Sequence, residues 1–112
     1  MSRIIDTTRM SAHVIIDRAD RINHIEKTVG WGRLIVKTPD KAHEGVYKVL
    51  TSTGVIVIQA EDGFIITTWI ADVRQAVKVW KAAKGDRPLP HWLWNRVNYN
   101  NNTEYWQNLV AA

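Results

Sequence analysis

The residues best suited to moving protons or holding phosphate in this 112-residue chain lie near its start. His13 sits just inside a segment that Ser11 can cap, at a helix N-terminus whose partial positive charge favours anions. An imidazole titrates near neutrality, so it can transfer protons in hydrolysis or transesterification. Arg18 and Arg21 follow, three apart on one side of the same helix. Guanidinium forks grip phosphate at two points, a geometry that lysine cannot copy. The same three residues are also what the solvated side of an amphipathic helix carries. Thr67 and Thr68 are successive strand hydroxyls that must face opposite sides. One of them can hold a phosphate oxygen or a ribose hydroxyl, although Thr is also a good strand former. Lys48 can neutralise a pentavalent phosphate beside His13, or act as an edge-strand charge that discourages aggregation. Arg74, Lys78 and Lys81 form a basic stripe, open to a nucleic-acid backbone or simply to water.

Metal chemistry has less to stand on. His13, Asp17, Asp20 and His24 share one helical face, and imidazole and carboxylate are zinc or manganese ligands. Eleven residues of helix nevertheless span about 16 Å, too far for one ion. Asp17 and Asp20 are better read as partners of nearby arginines. No Gly-rich phosphate loop, zinc-finger spacing, Gly-x-Ser-x-Gly elbow or His-Glu-x-x-His motif occurs. The reading therefore includes no metal and no cofactor.

Four segments must position these groups. A helix is expected over Ala12 to Ile25, burying Ile15, Ile16, Ala19 and Ile22, and Gly30-Trp31-Gly32 ends it. A short strand over Arg33 to Val36 leads to a turn at Thr38-Pro39-Asp40. A β-meander is the clearest feature: Val46–Thr51, Val55–Ala60 and Phe64–Ile70, three β-branched runs separated by Gly-containing turns. The middle run is apolar on both faces, as in a central strand covered on both sides. Asp72 then caps a helix over Val73 to Ala83, with Gln75 at the capping-box position and Val73, Ala76, Val77 and Trp80 as its apolar stripe. Gly85 ends it. Four of the six Trp lie from Trp80 onward, three of them in the last segment, which continues with an Asn-rich turn around residues 98–102 and a helix capped by Thr103. Trp31, Trp92 and Trp94 can stack bases or serve as core or subunit contacts.

These elements predict one α+β domain over residues 1–112: an α+β core at 11–84 and a Trp-rich helical appendage at 85–112. In it, an antiparallel meander packs on the N-terminal and post-meander helices, with the helices on one face. Length allows no second domain. Apolar residues are 46% and charged residues 23%, which excludes disordered, collagenous and coiled-coil chains. No apolar run approaches the ~20 residues that span a bilayer. Cys is absent, so neither a disulfide scaffold nor a thiolate metal site is available. The opening residues lack a secretory signal. A cytoplasmic protein is expected, or a piece cut from a larger delivery protein. Net charge is +4 and the pI near 9.6. Residues 1–37 hold seven Lys/Arg against four acids, 38–71 two against four, and 72–112 six against three. Two basic flanks folded onto one side would attract phosphates.

A helix carrying Ser11, His13, Arg18 and Arg21, followed by a meander whose last strand holds Gly63, Ile65, Ile66, Thr67 and Thr68, resembles the barnase–EndoU–colicin–RelE class. This class includes small bacterial toxin ribonucleases and related phage or mobile-element proteins. The resemblance covers residues 11–83. It implies metal-independent endoribonuclease activity through attack of a 2′-hydroxyl, with His13 as base, Arg18 and Lys48 on the phosphate and Thr67 orienting it. Arg21, Arg74, Lys78 and Lys81 would then bind the rest of the RNA. An antitoxin or immunity protein would mask the basic face, and the tail would offer a surface for a homodimer. Two further readings use the same residues: a non-catalytic phage assembly module, and a nucleic-acid binder without activity.

Overall fold

The computed structural model describes the backbone of residues 5–111 and the side chains of residues 5–101. Its centre is a four-stranded antiparallel sheet in sequence order: β1 (Leu34–Pro39), β2 (Val46–Thr51), β3 (Val55–Ala60) and β4 (Ile65–Ile70). Side chains alternate across β3, which sends Ile56 and Ile58 to one face and Val55 and Val57 to the other. All four are buried. The apolar character of this run therefore reports a strand covered on both sides. Bulges interrupt the register between Leu34 and Val36 in β1 and between Ile58 and Gln59 opposite β4.

Helices cover both faces, which corrects the one-sided packing expected above. On the first face lie α3 (Val73–Lys84) and α4 (His91–Ala111). Ala76, Val79 and Trp80 of α3 and Leu93 and Val97 of α4 join Val36, Leu50, Ile56 and Ile58 in one core. The stripe of α3 is centred on Ala76, Val79 and Trp80; Val77 is only half-buried. On the second face, Ile5, Ile25, Val49, Val55, Val57 and Ile65 form another core, with Met10, Val29 and Trp31 packed against it. A chain with β-branched residues on both sides of its central strand needs both layers, because a single layer would leave one row of valines in water.

The N-terminal helix is divided: α1 (Ala12–Asp17), α2 (Ala19–His24) and a π-helical turn over Ile25–Val29. The backbone leaves helical geometry at Arg18, where φ is −124° and ψ is 23°. Val14-Ile15-Ile16 is a β-branched run with poor helix propensity. Ile15 and Ile16 are exposed, whereas Val14 and Ile25 are buried. The inward side thus centres on Val14 and Ile25, with Arg21 and Ile22 half-buried, whereas Ile15, Ile16 and Ala19, expected inside, are exposed. These helices run along the outer edge of β4. Ile65 donates to the Arg9 carbonyl and accepts from Ser11, each at 2.8 Å. The Ser11 hydroxyl donates to the Ile66 carbonyl at 2.8 Å, and Arg21 Nη1 donates to the Thr68 carbonyl at 3.2 Å. An otherwise open sheet edge is so closed.

Three further expectations are corrected. Thr38 and Pro39 belong to β1, paired with Lys48 and Tyr47. Proline is tolerated there because β1 is an edge strand whose outer amides need no partner. The Asn-rich stretch is helical and lies inside α4. Asparagine usually favours turns because its amide competes for the local backbone. Here the amides are taken up elsewhere: Asn100 Nδ2 donates to the Thr53 carbonyl at 2.7 Å, and Asn101 Nδ2 to Ala71 at 2.9 Å. Residue Thr103, the expected cap, has its side chain outside the described residues. Trp92 and Trp94 are exposed, not core. At the β2–β3 turn Gly54 has φ 84°, and a Cβ there would lie 2.9 Å from Asn100 Nδ2. Glycine is required both for the left-handed backbone and for the close approach of α4.

Candidate functional site: a lysine-lined cleft under the third helix

Antiparallel pairing places Thr38, Lys48, Ile58 and Thr67 in one row across the sheet. The neighbouring row on the same face includes Val36, Leu50, Ile56 and Trp69. The capped start of α3 follows directly on β4, and the helix crosses back over β1 and β2. Between the helix and the sheet a cleft of about 650 Å³ remains open. Ile56, Trp69 and Val79 form its apolar floor. Lys48 of β2, Lys78 and Lys81 of α3, and Lys41 of the β1–β2 loop surround it. Asp40 is the only acid among the described lining residues, and Thr38 and Gln75 complete the polar wall.

Each charged group is placed by local structure. Asp72 caps α3 by accepting from the Gln75 amide at 2.7 Å, which fixes where the helix begins. Lys78 and Lys81 then fall one and two turns after Gln75, on the flank beside the sheet rather than fully outward. Lys48 is half-buried, one of the few charged residues drawn under a helix. Asp40 organises the loop: its carboxylate accepts from the Ala42 amide at 3.2 Å and from His43 Nδ1 at 3.2 Å. The Ala42 amide above all, then His43 and the charge of Lys48, hold the Asp40 carboxyl below the usual carboxylate range. Asp40 therefore stays ionised at neutral pH and leaves the cleft with an excess of positive charge. Since a carboxylate only accepts, the His43 ring donates to it from Nδ1.

The residues expected from sequence divide between two regions. Lys48, Lys78 and Lys81 meet in the cleft. Thr67 lies on the same sheet face, two strands from Lys48, but does not line the cleft. The Thr68 hydroxyl is committed to the Ile56 carbonyl at 2.8 Å. Arg74 is exposed near the start of α3, outside the cleft lining. His13 is exposed on α1, with Nδ1 3.0 Å from Asp17 Oδ2. Arg18 is exposed at the break between α1 and α2, and Arg21 is tied to the β4 backbone. None of these three lines the cleft. Among the described residues no group of three or more His, Asp or Glu side chains is placed to hold a metal ion. No described helix is long and apolar enough to cross a membrane.

Asp40, Lys41, Trp69 and Gln75 line the cleft but were not site candidates from sequence, where Asp40 read only as a turn residue and Gln75 only as part of a cap. Asp40 carried a partial signal, because Asp after Pro39 favours a turn and its side chain readily takes the amide two residues on, as it does with Ala42. The others become a site only through the crossing of α3. Comparison with protein-family models, with curated proteins and with solved structures gives no match.

Proposed function

We propose that the protein is a nucleic-acid-binding domain that takes single-stranded RNA into the cleft between α3 and the sheet. One observation carries this: four lysines from three separate elements meet around a single cleft that holds one acid. A polyanion neutralises ammonium groups gathered in this way and gives up its own condensed cations as it binds. The apolar floor of Ile56, Trp69 and Val79 suits the flat part of a nucleotide, and about 650 Å³ lies within the range of small-ligand sites. Anisotropy of a short fluorescent oligonucleotide tests this. Dissociation constants of about 10⁻⁴–10⁻⁶ M at physiological salt, weakened by Lys48→Gln with Lys78→Gln, support the reading. Binding that is absent, or unchanged in the double variant, rules it out.

A second reading, metal-independent RNA cleavage, is favoured by the Asp40–His43 pair. Asp40 lines the cleft and holds, through Nδ1, the imidazole of His43, which is exposed just outside the cleft lining. Such a base can take the proton of a 2′-hydroxyl while lysines steady the phosphate. His13, with its own Asp17 partner, offers the same chemistry away from the lysines. RNA incubated in chelator separates the cases. Cleavage lost in both His43→Ala and Lys48→Gln and kept in His13→Ala assigns the reaction to the mouth of the cleft; loss in His13→Ala alone assigns it to α1. Intact RNA throughout leaves the binding reading alone.

A further inference from the structure

Gln75 has its side-chain oxygen shared by two protein donors, whereas its side-chain nitrogen bonds no described protein atom and is open to solvent. Oε1 accepts from the Asp72 amide at 3.0 Å and from the Trp69 indole Nε1 at 3.2 Å. Both partners can only donate, so the oxygen and nitrogen of this amide cannot be exchanged. The capping box further locks the side chain, because the Gln75 backbone amide is held by Asp72 at 2.7 Å. The residue is half-buried and lines the cleft beside Trp69 and Lys78. Among the described residues, Nε2 has no hydrogen-bond partner. Two N–H donors are thus held at the cleft wall on a rigid mount, next to an apolar floor and a ring of ammonium groups.

We infer that Gln75 is a specificity-determining residue that reads the base of the bound nucleotide, donating from Nε2 to a ring carbonyl and so preferring keto bases to amino bases. The inference rests on the reading of the cleft as a nucleic-acid site. Uracil O4 and guanine O6 are acceptors, whereas cytosine N4 and adenine N6 carry hydrogens that would meet the Gln75 N–H groups head on. A free glutamine recognises adenine with oxygen and nitrogen together. That mode is closed here, because the oxygen is already shared by Asp72 and Trp69.

Gln75→Glu is the informative variant. One carboxylate oxygen can still accept from Asp72 and Trp69, and Glu at this position keeps the capping box. The other oxygen replaces two donors with an acceptor at the cleft wall. The probes are oligo-U and oligo-C of equal length, which differ in keto against amino at C4 and in N–H against a bare nitrogen at N3, with an abasic strand as the phosphate-only reference. The wild type should bind oligo-U about tenfold more tightly than oligo-C, the scale of one hydrogen bond gained against one donor clash. Gln75→Glu should bind all three strands more weakly through its added charge, and should reverse the order of U and C. Unaltered near-ultraviolet circular dichroism, to which Trp69 contributes, verifies the fold. Equal binding of U and C by the wild type overturns the inference while leaving phosphate binding standing. So does a Gln75→Glu variant that weakens U, C and the abasic strand by one common factor. Failure of all three strands to bind overturns the nucleic-acid reading itself.

Discussion

Lys78→Gln and Arg74→Gln remove the same charge from the same helix, one turn apart, yet only Lys78 lines the cleft. Comparing them separates a site from a net charge. Single-stranded nucleic acid releases counterions so that log Kobs falls with log salt at about −0.7 per neutralised phosphate. If Lys41, Lys48, Lys78 and Lys81 each neutralise one, the wild-type slope is about −2.8 and that of Lys78→Gln about −2.1. Each contact then contributes about fivefold at roughly 0.1 M salt and nothing near 1 M. Arg74 acts only through a screened field, with a Debye length of about 10 Å at that ionic strength. Anisotropy titrations over a salt series should therefore show Lys78→Gln about fivefold weaker at low salt and equal to the wild type at high salt. Arg74→Gln should stay within about twofold throughout. Equal losses in both variants, or an unchanged slope in Lys78→Gln, would refute the reasoning, because binding would then follow overall charge.

The fold makes its own predictions. Gly54→Ala forces a side chain into left-handed backbone and against Asn100, and should destabilise by about 2 kcal/mol in chemical denaturation; an unchanged midpoint would mean that α4 does not sit on the β2–β3 turn. Asn101→Ala strips a donor from the carbonyls of Ala71 and Val97 and should cost about 1–3 kcal/mol, which thermal unfolding would detect as a lowered Tm. Acid stability follows from Asp62, held below the usual carboxylate range first by Arg9, at 2.6 Å, and then by the Phe64 amide. A lowered folded pKa contributes stability above the ordinary carboxylate value and loses it as pH falls through the lowered one. Asp62→Asn should thus melt earlier than the wild type at neutral pH, with the gap closing on acidification; a gap independent of pH contradicts the assignment.

The meander was legible because its signals are local. Val46–Thr51 and Val55–Ala60 have the predicted limits, and their hairpin turns on glycine. The capping box of α3 was equally plain, since Asp72 and Gln75 are three residues apart. What was misread depended on tertiary partners. Spacing alone could not tell that Val14 and Ile25 face inward while Ile15 and Ile16 stay in water, because all four are apolar. Asn98 to Asn102 read as a turn until Thr53 and Ala71 supplied carbonyls for two of their amides. The cleft was half legible. Lys48, Lys78 and Lys81 could be singled out as charges, but their meeting depends on the path of α3 over β2, which no periodicity encodes. Trp69 and Gln75 join them through a hydrogen bond between a strand end and a helix start.

The most direct test of the cleft as a binding site is amide and indole NMR of the labelled protein during titration with short single-stranded RNA. Perturbations should centre on residues 38–42, on Lys48, on the Trp69 indole N–H and on residues 75–82, leaving α1 and α2 almost unchanged. Shifts gathered instead around His13 and Arg18, or none at concentrations where anisotropy reports binding, would contradict the account.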